Sequence, residues 1–411
     1  MSNFLNEIMK TQTQFGTVNV LTNCPLLDST EYLEFKTEVH ENYDGSEDRL
    51  NLRDQPRQEL RFKYVTFKKA LGDMFHMLYA NLRGLWGIPM KQIKLKIPNI
   101  DTDFLPFETK LTKADFRVGF ILLESNEGVQ VAEITEIGRY VVTQQEIRDP
   151  ETDEIIQEEI VEFEDGFRFS ESITATNAYM TPLRICIIDG DASIAASGFY
   201  AGQEITFKVL DEDCPDDEGD ESEQYKGEDI YFKPLVLEGD SLSMALTQHQ
   251  VIVDGEIGGF QDFTNWEKPR YTKPFKSILK SKEEYSQYKN FLFRRLGKYK
   301  AFWMPLYEKH LNITSTGLNW IEVDNDYVIE ADRKNLAVKI NGIWSAHSIT
   351  AINKNGSKTR LTVSPSLDVL QSQIQSICYL GLYRLAADSV EFSFLGNSIT
   401  QVNVPIVELY S

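Results

Sequence analysis

The chain has 411 residues, 42% of them apolar and 11% aromatic, with 63 acidic against 42 basic side chains and a formal net charge of −21. That length exceeds one ordinary core and predicts at least two domains. So acidic a surface repels nucleic-acid phosphate, which argues against a DNA or RNA binder but suits a surface past which DNA slides without sticking.

In chain order, residues 1–34 read as an N-terminal arm. They lack the basic and apolar regions of a signal peptide, so synthesis in the cytoplasm is expected. No apolar run approaches the ~20 residues of a membrane helix. A first domain is expected over 35–210. It opens with "ENYDGSEDRLNLRDQPRQELRFKY", where Asp44-Gly45 predicts a tight turn between strands and Pro56-Arg57 an entry into the next strand. "FKKALGDMFHMLYANL" then spaces Ala70, Leu71, Met74, Met77, Leu78 and Leu82 by threes and fours, the pattern of a helix with one apolar face. Gly84 stands in the position of a left-handed C-cap. Trp86 is placed to fill the gap between helix and sheet, and Pro89 to start the next extended segment. Alternating strands follow at 128–143 and 179–209, with a charged hairpin inserted at 147–167.

Residues 211–229 are so acidic and so poor in apolar side chains that they read as a linker. A second domain is expected over 230–411, because the landmarks recur there in the same order. Asp254-Gly255 precedes Pro269-Arg270. "SILKSKEEYSQYKNFLFRRL" predicts a helix with Ser281 and Glu284 as a capping box. Gly297, Trp303 and Pro305 follow, and 342–363 and 379–407 match the strands at 128–143 and 179–209. A mainly β protein of two tandem β-barrel or sandwich domains, each with one principal helix, is the expected fold. In this reading Gly45, Arg57, Gly84, Trp86, Pro89, Gly255, Arg270, Gly297, Trp303 and Pro305 are structural landmarks.

Candidate chemistry is sparse. The four cysteines, Cys24, Cys186, Cys214 and Cys378, form no CxxC pair, and the five histidines show no HxH or HxxxH spacing, so no metal site is expected. No phosphate-binding glycine loop is present, and no cofactor is expected. "GDSL" at 239–242 echoes a hydrolase nucleophile block with Ser241 at its centre. The late DxxH that such hydrolases need is missing, since His347 sits in "WSAH". Lys273, Lys276, Lys280, Lys282, Arg294, Arg295, Lys298 and Lys300 form the one basic island. It reads as a solvated helix face, or as a dock for an acidic neighbour such as another copy of this chain.

Gly45, Glu47 and Arg49 with Pro56-Arg57, and later Arg295, Gly297, Phe302, Trp303 and Pro305, resemble the distal-tail family of long-tailed bacteriophages. Its members carry G-x-E-x-R, an Arg-rich strand, and a helix ending in Arg-x-Gly before an aromatic cluster. The resemblance implies a split β-barrel flanked by a helix, in a ring at the end of the tail tube. It also implies a non-catalytic structural component of the virion tail tip or baseplate. Such a component joins the tail tube to the hub or to receptor-binding parts. The implied partners are copies of itself, the tube protein, hub and tape-measure proteins, and receptor-binding or fibre proteins. The chain departs from the family in its two copies and its acidic hairpin. Two units per chain would let three chains present six, adapting a sixfold tube to a threefold tip, with a six-chain ring as the other geometry. Two alternative readings are a receptor- or glycan-binding tip protein with aromatic-rich loops and a hydrolase using Ser241.

Overall fold

The computed structural model describes residues 9–106, 116–141, 147–148, 155–156, 163–210, 223–233, 245–256, 258–264, 266, 268–307, 311–325, 329, 332–396 and 398–409. The "GDSL" block and most of the acidic segments at 147–167 and 211–229 lie outside them.

The described residues are mainly β, with two α-helices among them. β1 (Met9–Thr13) and β2 (Gly16–Val20) form a hairpin, followed by β3 (Thr30–Glu34). β4 (Thr37–Glu41) and β5 (Glu47–Asn51) form another, with Gly45 at φ +87° in its turn. β6 (Arg57–Phe67) runs into α1 (Lys68–Asn81), and the chain returns as β7 (Leu85–Pro89). Next come β8 (Leu95–Lys96), β9 (Ile100–Pro106), β10 (Gly119–Ser125) and β11 (Gly128–Val141). The short β12 (Ile147–Arg148) and β13 (Ile155–Ile156) pair with each other where the inserted hairpin is expected, ahead of β14 (Phe163–Ala175). β15 (Tyr179–Ile188), β16 (Ser193–Ser197) and β17 (Tyr200–Val209) complete this half.

The second half begins with the hairpin of β18 (Gln224–Tyr225) and β19 (Glu228–Ile230), which lies across the end of the stretch expected to be linker, 211–229. β20 (Ala245–Thr247), the hairpin of β21 (Val251–Val253) and β22 (Gln261–Phe263), and β23 (Arg270–Leu279) lead to α2 (Lys282–Arg295). After it come β24 (Phe302–Pro305), β25 (Ile313–Gly317), β26 (Trp320–Asp324), β27 (Asn335–Ile340), β28 (Ile343–Asn355) and β29 (Lys358–Ser364). β30 (Ile374–Leu385), β31 (Ser389–Phe394) and β32 (Thr400–Leu409) end the fold.

One pairing scheme occurs twice. β17 pairs with β6, β15 and β16, while β7 lies between β15 and, in parallel, β2. Correspondingly, β32 pairs with β23, β30 and β31, and β24 lies between β30 and, in parallel, β19. A side ladder β15-β10-β11-β14-β9 has its counterpart in β30-β27-β28-β29-β26. Among the described residues no ladder closes, so the expected barrels are open sheets. In the second half the outer strand β31 is taken up by β3 of the first half. Residues 1–34 are therefore more than an arm, since β3 is part of the common sheet.

Several landmarks differ in detail from the expectation. Gly297 has φ +67°, with the left-handed cap beginning one residue earlier at Leu296. α1 ends in right-handed geometry at Leu82, and Gly84 takes no positive φ. Neither does Gly255, whose neighbour Glu256 carries φ +58°. Pro89 and Pro305 close their strands rather than start them. Ser281 Oγ accepts from the Glu284 N–H at 3.1 Å, but the Glu284 carboxylate accepts from Lys280 N rather than completing the box on Ser281.

The two tryptophans are not counterparts. Trp86 faces Asn19 on β2 and Cys186 on β15, while Phe302 faces Asp229 on β19 and Tyr383 on β30. Both point into the main core. Trp303, one residue on, points to the opposite face, into a small cluster with Ala337, Cys378 and Leu380, as alternation along a strand requires. The matching position in the first half is Gly87, where a Cβ would lie 3.2 Å from Val20 and 3.3 Å from Leu183. Neither indole N–H finds an acceptor among the described residues. Trp86 contributes through apolar packing, while the Trp303 ring also meets Tyr225 edge-on at 5.3 Å and the Lys226 ammonium at 5.9 Å.

Replacing Trp86 by Ala is expected to cost about 3–5 kcal/mol, and by Phe distinctly less, because Phe302 already fills the corresponding place. Urea denaturation of the full chain measures both; equal losses would contradict the equivalence.

Candidate functional site: the junction of the two halves

β3 is hydrogen-bonded on both sides. Glu34 to Thr30 run antiparallel to Arg57–Arg61 of β6 in their own half and to Ser389–Ser393 of β31 in the other. Its alternate residues Glu31, Leu33 and, just beyond it, Phe35 are buried. Leu33 and Phe35 join a core that also contains Phe275, Tyr285, Phe392 and Trp86, so one apolar interior spans both halves.

Glu31 enters this interior as a charge. Its carboxylate accepts from Lys289 Nζ at 2.8 Å, from Gln58 Nε2 at 2.7 Å, and from the Tyr285 hydroxyl. Lys289 and Tyr285 come from α2, so the ion pair bridges the halves. Burial pushes the Glu31 carboxyl up, but the Lys289 charge and the three hydrogen bonds outweigh it and hold the pKa below the ordinary carboxylate value.

The β4–β5 hairpin extends the bridge. Arg270 Nη1 donates to Glu41 at 2.9 Å and to Glu47 at 2.6 Å, Nη2 donates to the Gly45 carbonyl, and the guanidinium lies 4.6 Å over the Trp266 ring. Glu47 also accepts two hydrogen bonds from Arg384, both at 2.7 Å, a bidentate geometry of the stronger kind. Burial again acts upward on Glu47, and Arg384, followed by Arg270, brings its pKa below normal. The turn residue Gly45 and the strand-entry residue Arg270, distant in sequence, thus meet here.

Gly297 makes the third contact possible. A Cβ there would lie 2.4 Å from Asp388 Oδ1 and 2.7 Å from Phe35 Cβ. Without one, Phe35 N–H reaches the Asp388 carbonyl at 2.9 Å, and Asp388 carboxylate oxygens accept from Thr37 N at 2.9 Å and Lys298 N at 3.0 Å. Gly297 therefore serves the junction as well as the helix cap.

The remaining candidates fall elsewhere. Gly84, Trp86, Pro89, Trp303 and Pro305 shape the cores and strand ends. Arg57, the counterpart of Arg270, is exposed. The basic island is largely occupied within the fold: Lys273 is buried, Arg294 and Arg295 pair with Asp229 at 2.9 and 2.8 Å, and Lys298 pairs with Asp388. Glu31, Lys289, Arg384 and Asp388 carry no local motif in the sequence. His347 is a core residue, with Nδ1 2.9 Å from the Pro365 carbonyl and Nε2 2.9 Å from Ser345 Oγ, and burial lowers its pKa.

Glu31 and Glu47 have folded pKa values below their unfolded ones, so their stabilisation is complete above about pH 4.5 and is lost as pH falls through the folded values. Glu47→Gln is expected to cost about 3–5 kcal/mol at neutral pH by leaving Arg270 and Arg384 short of a charge. It should also flatten the acid limb of a stability-versus-pH curve. An unchanged acid limb would remove Glu47 from the account.

No helix among the described residues is long and apolar enough to cross a membrane. No protein-family model matches the chain, and no curated protein matches it in sequence.

Proposed function

We infer that the chain is a structural, non-catalytic component of a phage tail tip or baseplate, joining the tail tube to the hub or to receptor-binding parts. The observation that carries this reading is the doubled pairing scheme, in which one unit docks on the next through β3 and the β4–β5 hairpin. A polypeptide made of two such units is suited to a ring, three chains supplying six units around a sixfold tube. The acidic surface suits a lumen through which DNA passes without adhering. The residues that matter in this role hold shape: Gly45, Glu47, Arg270, Arg384 and Gly297 at the junction.

Antibody labelling of virions viewed by electron microscopy tests the assignment. Label at the tail end distal to the head is expected; label confined to the head, or absent from purified virions, would overturn it.

A further inference from the structure

The junction inside the chain is directional. It joins β3 and its hairpin in the first half to β31 in the second. Repeating that step leaves two ends unused. β20, the counterpart of β3, pairs among the described residues with β23 alone, and β16, the counterpart of β31, with β17 alone. We propose that these two edges bind each other between copies of this chain, head to tail, with the β21–β22 hairpin of one copy seated on the first half of the next. It deepens the ring reading proposed above.

Burial marks the open ends. Leu33 faces Gln58 on β6, one residue past Arg57, and Leu246 faces Tyr271 on β23, one past Arg270, so they occupy the same place. Leu33 is 2% exposed and Leu246 60%. Lys289 and Phe75 are both the eighth residue of their helices; Lys289 is 1% exposed under β3, and Phe75 is 55% exposed. Arg270 is covered by its hairpin, whereas Arg57 is not.

The chemistry of the two ends agrees. The β4–β5 hairpin presents Glu41 and Glu47 to Arg270 and Arg384. The β21–β22 hairpin instead exposes Val251, Ile252, Val253 and Phe263, and the residue of β15 that matches Arg384 is Ile187, also exposed. Exposed apolar residues clustered on one hairpin mark an interaction surface, and a heterologous contact between identical chains closes into a ring or runs on as a filament.

The internal pairing fixes the register. Ala196 faces Ala201, which faces Thr66, as Phe394 faces Thr400, which faces Leu279. The Tyr32–Glu391 pair then becomes Ala245 of one copy opposite Ser193 of the next. The full chain with Cys24→Ser and Cys214→Ser, carrying Ala245→Cys and Ser193→Cys, is expected to give reducible covalent multimers on mild oxidation. Ala245→Cys with Ser197→Cys should give few. Ile252→Asp, at an exposed position, should leave the fold intact by circular dichroism and weaken association about tenfold or more, that is ~1.4 kcal/mol. A chain that stays monomeric by light scattering would overturn the proposal. Multimers showing no preference for the registered pair would also overturn it, while leaving a ring of other contacts and the tail-tip reading standing.

Discussion

A single five-residue strand, Thr30–Glu34, has sheet partners from two halves of the molecule. A strand with neighbours on both sides satisfies every backbone polar group along it without solvent. Its side chains can then be buried, and one of them, Glu31, is charged. A buried carboxylate is tolerated only with its counterion and hydrogen bonds in place, and these come from α2 on the far side. The position of α2 and the position of β3 are therefore set together. The hairpin that follows repeats the arrangement nearer the surface, with Glu47 held between two guanidiniums.

How much of this was legible depended on the range of the signal. Pro-Arg at 56–57 and 269–270 marks strand entry because proline fixes the backbone and forgoes a donor, and β6 and β23 begin at Arg57 and Arg270. Helix periodicity and the Gly297 cap are equally local and were readable. The matching of Trp86 to Trp303 failed by one residue, since a conspicuous residue type outweighed the period of a strand, in which a one-residue slip exchanges the faces. The two Asp-Gly pairs look alike in the sequence, yet the second loop is longer and places its positive φ on Glu256. Glu31, Lys289, Arg384 and Asp388 were illegible because their meaning lies in partners hundreds of residues away.

The two halves diverge where their surroundings differ. α2 buries Tyr285, Tyr288, Lys289, Phe291, Leu292 and Arg295, whereas α1 buries Met74, Met77 and Leu78. A helix covered on both faces by its own chain carries aromatic rings and a paired lysine; one left open carries flexible methionines toward the core, and Phe75 and Tyr79 outward. The shared pairing scheme is thus fitted to two environments largely through the side chains of its helices.

The placement of β3 also bears on how the molecule reaches its native state. Residues 30–34 must wait for residues 389–393 before their second set of backbone bonds forms, and contacts so distant along a polypeptide are slow to find. Until then Leu33 and Phe35 face water and Lys289 has no anion to meet. A nascent or partly unfolded molecule consequently displays a sticky strand edge near its start, the kind of surface that recruits chaperones or premature neighbours.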